Sequence, residues 1–216
     1  MLYKNDWEST KTKWRNYWKR SNTGRPLMHL VAARDDMAGK ENKKIPNSND
    51  MYDKYLNAEK IVNRYRNFCE THEFLAESFP NLSVDFGPGS LAAYLGCDII
   101  FSPNTVWYEP FVSAWSKLGK LEFDPQNQWF KKHIELFRKV KTLVGNDFYI
   151  CIPDIMENID VLASMRGAQD TLFDIIDEPD EILKRIYQIN DIYFQYYDRF
   201  YEIAKDDEGG SCYTVF

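Results

Sequence analysis

The chain has 216 residues, 44% hydrophobic and 28% charged, the balance of a globular protein long enough to bury a core. A net charge of −6, from 27 basic and 33 acidic residues, excludes a nucleic-acid binder that works by bulk positive charge. No apolar run reaches the length of a membrane span, and the N-terminus carries charges where a signal peptide needs an apolar run.

Residues 1–24 read as an amphipathic N-terminal helix ahead of a body at 25–216. In KTKWRNYWKR (11–20) basic residues alternate with Trp14, Tyr17 and Trp18, a pattern that also suits stacking on a single nucleic-acid strand. Trp7, Trp14 and Trp18 fall at helical spacing, however, and three indoles are too much apolar surface to leave in water. Docking on the body through Trp14 and Trp18 is the expectation. RPLMHLVAA (25–33) is a short apolar run behind a glycine and reads as a strand. The polar stretch at 35–50 is long for an internal loop, which suits a lid or a binding loop.

From 51 to 79 apolar residues recur every three or four positions (Tyr55, Ile61, Val62, Tyr65, Phe68, Leu75), which predicts a helix, broken near Thr71. LSVDFG reads as a strand, SLAAYLG as a short helix closed by Gly96, and CDIIF and TVWYEP as extended segments. A helix over 126–144 follows, with His133 set on it facing Lys131 and Lys132. The strand DFYICIP leads to two short helices parted by Gly167. In the last helix Pro179 suits the first position, and Asp180 and Glu181 suit the positive end of the dipole. Its apolar stripe runs Ile182, Ile186, Ile189, Tyr193, Tyr196, Phe200, Ile203. SCYTVF (211–216) begins another strand.

Strands alternating with helices predict an α/β fold with a mainly parallel sheet. No glycine-rich nucleotide signature follows any strand. Cys69, Cys97, Cys151 and Cys212 lie far apart without a CxxC pair, so reduced thiols and a cytoplasmic location are expected. Cys69 and His72 in CETH offer two metal ligands and lack a second pair.

Two blocks then stand out: FGPGSLAAYLG with the later TVW (86–107), and PDIMENIDVLASMRGAQDTLFDIIDEPDEI (153–182). Both resemble the uroporphyrinogen decarboxylase superfamily, especially its decarboxylase-like bacterial branch. The resemblance extends over roughly 25–205, with only those two blocks specific. It implies a (β/α)8 TIM barrel, of which this sequence is similar to the N-terminal half with an extra N-terminal helix. Members of that superfamily include cofactor-free decarboxylases of tetrapyrrole acetates and zinc-dependent methyltransferases acting on corrinoid proteins or coenzyme M. The implied activity is therefore decarboxylation or methyl transfer on a small or corrinoid-linked substrate. A barrel protein that binds a small molecule without chemistry is the alternative.

Departures from the family pattern narrow this. Where the decarboxylases carry an arginine-rich RQAGRY segment, this chain reads HLVAARDD (29–36), with Arg34 followed by two aspartates. That makes a poor cradle for a substrate with eight carboxylates, so uroporphyrinogen itself is not the expected substrate. The methyltransferases hold zinc through a His-x-Cys pair and a later Cys in the second half of the barrel. Any zinc would thus depend on residues beyond Phe216, and no cofactor is assigned within the chain. With four or five strand–helix units against about 250 residues for a full barrel, the last strand is expected to present an open edge. A homodimer would cover that edge.

Asp85 and Asp154, each at the C-terminal end of a predicted strand, are the candidate catalytic residues. The resemblance gives Asp85 the role of holding substrate N–H groups and favouring a protonated intermediate, while Asp154 would relay a proton or anchor a ligand. Helix capping is the plainer role for both. Gly87 and Gly89 would let a substrate approach the main chain, or simply make a tight turn. Trp107 and Tyr108 would wall an apolar pocket or join the core. Arg34 and Arg166 are candidate anion binders, with Arg166 equally placed to cap free carbonyls at its helix end. No Ser–His–Asp or Cys–His order supports nucleophilic catalysis.

Overall fold

The computed structural model describes residues 1–37, 48–155 and 158–213. Most of the predicted loop at 35–50, and the last three residues of the predicted C-terminal strand, lie outside the described residues. Within them the chain is mixed α/β, built from eight α-helices and seven short strands in three small sheets.

One sheet is parallel, with order β3 (Asn81–Ser83), β6 (Tyr149–Ile152) and β7 (Cys212–Tyr213). β6 is its middle strand and three of its four residues, Ile150, Cys151 and Ile152, are fully buried. A continuous apolar run suits a parallel strand covered on both faces. The other pairings correct the expectation of a mainly parallel sheet. β1 (His29–Ala33) runs antiparallel to β2 (His72–Ala76), and β4 (Asp98–Phe101) antiparallel to β5 (Val106–Glu109). Among the described residues the sheets do not join into a closed barrel.

The predicted long helix at 51–79 is in fact two helices and a strand: α2 (Met51–Leu56), α3 (Ala58–Thr71) and β2. Asn57 ends α2 and caps α3 by accepting from the Lys60 N–H. The Thr71 hydroxyl bonds back to the Asn67 and Phe68 carbonyls at 2.9 and 3.1 Å, closing the last turn, and His72 continues in extended geometry. Leu75 therefore belongs to β2 and is exposed rather than helical.

The core forms where α5 (Gln128–Val144) and α8 (Pro179–Ala204) cross over β6 and meet α4 (Ser90–Tyr94). Asn127 starts α5 by accepting from the Trp129 and Phe130 N–H groups at 2.9 and 3.0 Å. Tyr94, Phe130, Phe137, Tyr196 and Phe200 then pack mostly edge to face, with Tyr94 tilted on Tyr196 and stacked on Phe200, and ring centroids 4.8 to 6.5 Å apart. His133 lies inside this cluster, not on the lysine side. It is fully buried between the Tyr94 hydroxyl at 2.6 Å and the Val84 carbonyl at 2.9 Å.

α1 (Trp7–Trp18) docks as expected through Trp14, with Trp7 rather than Trp18 as the second indole. Trp7 packs on Phe79 and Tyr149, and Trp14 donates its N–H to the Glu77 carbonyl at 2.9 Å. Trp18 is 77% exposed, against expectation, because it lies about 6 Å beyond Trp14 along the axis, where the Tyr17 ring meets it edge-on. The Glu77 carboxylate, 1% exposed, takes Arg25 through both oxygens, Lys13, and the Met28 N–H. Arg25 does most to hold that carboxyl down, at about 2.

α6 (Asn158–Arg166) and α7 (Ala168–Asp177) complete the fold beside α8. α7 packs with its polar side inward: Thr171 and Asp174 are buried, while Leu172, Phe173, Ile175 and Ile176 face outward. No helix of the described residues is long and apolar enough to cross a membrane.

Candidate functional site

β3 and β6 run side by side in register Leu82 to Ile150 and Ser83 to Cys151, so their C-terminal ends lie together. Asp85 follows the first by two residues and Asp154 the second by two. The loops beyond them are stitched by a bond from the Leu91 N–H to the Ile155 carbonyl at 3.1 Å.

Asp85 closes its own turn. One oxygen accepts from the Ser83 hydroxyl at 2.5 Å and the other from the Gly87 N–H at 2.8 Å. It therefore caps this turn rather than α4 itself. Gly87 has φ +83°, and a Cβ there would stand 2.7 Å from the Val106 Cβ, so strand β5 and the turn fit only around glycine. Gly89, φ +93°, is the residue from which α4 starts. The same strand supplies the clamp. The Tyr108 hydroxyl donates to the Phe86 and Gly87 carbonyls at 2.9 and 3.1 Å.

Tyr108 also shows that the two carboxylates share a neighbourhood. Burial pushes its phenol pKa up most, and both Asp85 and Asp154 push it further by charge. Asp154 in turn accepts from the Tyr213 hydroxyl of β7 at 3.1 Å. His133, beneath Asp85, is driven the other way. Its full burial lowers its pKa to about 4 despite the Val84 carbonyl and Asp85, so it serves as a neutral buttress between α5 and β3.

The structure thus brings Asp85, Gly87, Gly89, Tyr108 and Asp154 together. Trp107 alternates to the opposite side of β5 from Tyr108 and is 64% exposed. Arg34 lies at the end of β1, where its guanidinium donates to the His72 carbonyl at 3.2 Å. Arg166 is held by Asp174 at 2.9 Å and by the Ser113 and Val112 carbonyls at 2.8 and 3.3 Å. It does engage carbonyls, but those of the loop after β5 rather than of its own helix.

A cleft of about 470 Å³ opens beside Asp85, between α2, α3 and β3. Its walls include Tyr55, Ile61, Tyr65 and Phe68, with Lys54 and Arg64 as its cations. Tyr55 is near enough to Asp85 for the carboxylate to add to the rise in phenol pKa that burial causes. Its hydroxyl donates to the Ser102 carbonyl at 3.0 Å, joining α2 to the β4–β5 turn. Sequence reading passed over Arg64, Tyr55, Tyr213 and the clamp by Tyr108. The signal for Arg64 was an arginine within the apolar face Ile61, Tyr65, Phe68 of α3.

Among the described residues no three His, Cys, Asp or Glu side chains gather as a metal set. Cys151 and Cys212 face each other across β6 and β7 with sulfurs 3.5 Å apart, two thiols without such a third ligand. No protein-family model, curated protein or solved structure matches the chain.

Proposed function

We propose that the chain is a uroporphyrinogen decarboxylase-like enzyme, the N-terminal portion of a (β/α)8 barrel acting in the cytoplasm. Its reaction in this reading is loss of CO2 from a small carboxylated substrate other than uroporphyrinogen. The observation that supports it best is that Asp85 and Asp154 follow the C-terminal ends of adjacent parallel strands, with the half-buried Tyr108 phenol near enough to both for each to raise its pKa. In (β/α) barrels that end of the strands carries the chemistry.

Protonation makes the substrate ring cationic, loss of CO2 sends the C–C electron pair into that ring, and a proton added at the exocyclic carbon with release of the ring proton restores the aromatic system. Asp85 is assigned to the developing positive charge. Asp154, hydrogen-bonded by Tyr213, is assigned to the proton. The turn at Gly87 and Gly89, with Tyr108 behind it, would be the surface the substrate meets. Trp107, Arg34 and Arg166 take a peripheral part in this reading, as outer wall and fixed positive charges.

The methyl-transfer variant rests on zinc. The described residues do not supply a donor set that fits it, so that variant puts both zinc and any corrinoid-protein contact on residues outside the described ones. A homodimer belongs to the same proposal, as cover for β7, an edge strand of the parallel sheet among the described residues. One observation favours the non-catalytic alternative: both Asp85 oxygens are engaged within its own turn, as a purely structural carboxylate would be.

The test is CO2 release from a panel of pyrrole-, indole- and arylacetic acids, with wild type, Asp85→Asn and Asp154→Asn compared. Turnover of one acid, lost in both variants, supports the reading. Binding without turnover across the panel gives the site to the non-catalytic alternative. Methylcobalamin with a thiol acceptor, followed by the cobalamin spectrum, examines the methyl-transfer variant.

A further inference from the structure

The cleft beside Asp85 holds a cation that the rest of the molecule leaves largely unanswered. Arg64 is half-buried on α3, and its guanidinium donates to one acceptor, the Lys54 carbonyl at 2.8 Å. Among the described residues it makes no ion pair. Burial pulls its pKa down, with only Asp53 acting the other way. Asp53 is itself engaged, by the Lys60 ammonium, the Asn57 amide and the Asn49 N–H. Lys54, the other cation of the cleft, already donates to the Pro103 carbonyl and lies 5.3 Å from the Tyr55 ring centroid. A desolvated guanidinium with open donors calls for an anion, and its planar fork matches a carboxylate through two parallel bonds.

The surroundings describe the rest of the ligand. Arg64 shares the α3 face with Ile61, Tyr65 and Phe68, across from Leu82 and Val84, so the space next to the guanidinium is apolar and partly aromatic. About 470 Å³ lies within the range of small-molecule sites and suits a body of one or two fused rings. We propose that this cleft binds a flat, aromatic carboxylate, with Arg64 receiving the carboxyl group and Tyr55, Tyr65 and Phe68 flanking the ring system. Asp85 then faces the ring and not the acid. This deepens the small-molecule reading above and depends on it only for the choice of cleft.

The probe is 2-naphthoate, with uncharged 2-naphthamide as control, titrated into the full chain and followed by amide NMR shifts. Wild type should bind the acid about tenfold more tightly than the amide, with shifts centred on α3 and β3. Arg64→Met should abolish that preference, Arg64→Lys should keep part of it, and Ile176→Ser, on the outward face of α7, should leave it intact. Thermal melts of the two Arg64 variants confirm that each is folded, and the lysine variant carries the test if the methionine variant is not. Equal affinity for acid and amide in wild type, an acid preference that survives loss of the guanidinium, or shifts elsewhere would overturn the proposal. CO2 release unaffected by Arg64→Met would sink this assignment and leave the decarboxylase reading standing. Arg64-dependent naphthoate binding without turnover would do the reverse.

Discussion

α5 and α7 are both amphipathic helices, yet they bury opposite kinds of surface. α5 turns Phe130, Phe137, Val140 and Val144 inward and admits one polar side chain, His133, which is satisfied at both ring nitrogens. α7 turns Thr171 and Asp174 inward and leaves Ile176 77% exposed and Leu172 64% exposed. The difference lies in what each helix meets. α5 faces an aromatic cluster that rewards any apolar contact. α7 is oriented by its buried carboxylate, because Asp174 takes the Arg166 guanidinium at 2.9 Å and the Trp115 indole N–H at 2.7 Å. Amphipathicity locates a helix, but the inward face is decided by the neighbour with the most demanding group to satisfy.

The largest expected effect comes from breaking the apolar side of that contrast. Phe137→Ala should cost about 4 kcal/mol, since it empties a fully buried aromatic site in a packed cluster; urea unfolding followed by circular dichroism measures it. A loss below about 1 kcal/mol would mean that α5 does not hold the core as described.

Acid sharpens the same contrast next. With a folded pKa of about 4 against about 6.5 unfolded, His133 lets the unfolded chain take up the proton first. Its contribution is therefore intact above about pH 6.5 and is lost progressively as pH falls toward 4, by about 3 kcal/mol in all. His133→Gln should flatten that part of a stability-against-pH curve, and an unchanged slope would place the acid sensitivity elsewhere.

On the α7 side, Asp174→Asn removes the charge while keeping an acceptor for Trp115. A loss of about 2 kcal/mol is expected, the size of a charge-assisted hydrogen bond, read from the same denaturation curves. Smallest of all, Ile176→Ser on the outward face should change stability by less than about 0.5 kcal/mol. A loss comparable to Phe137→Ala would show that the face is covered in solution.

Much of this arrangement was legible in the residues. The start of the last helix at Pro179, the glycine turn at Gly87 and the position of Asp85 and Asp154 after their strands all follow from local chemistry. What was not legible depends on long-range partners. The antiparallel pairing of β1 with β2 is fixed by register between residues some forty positions apart, which no local pattern encodes. β2 was hidden because Leu75 continues the helical spacing of α3, whereas Thr71 ends that helix through its hydroxyl. His133 was misplaced since two lysines precede it, although helical geometry turns it about 100° from Lys132. For Arg166 and Arg34 a sequence displays charge without displaying the carbonyls that engage it, which come from residues distant in the chain.

Glu77 has a consequence in time as well as in energy. The residues that reach its side chain, Lys13, Arg25 and Met28, lie 64, 52 and 49 positions before it. Those contacts close long loops and must wait until β2 is in place to receive them. The N-terminal helix is therefore expected to join after β2 in folding and to leave before it in unfolding. Glu77→Gln should accordingly leave the refolding rate nearly unchanged and speed unfolding. On this account the first thirty residues act as a latch on a body that has already assembled.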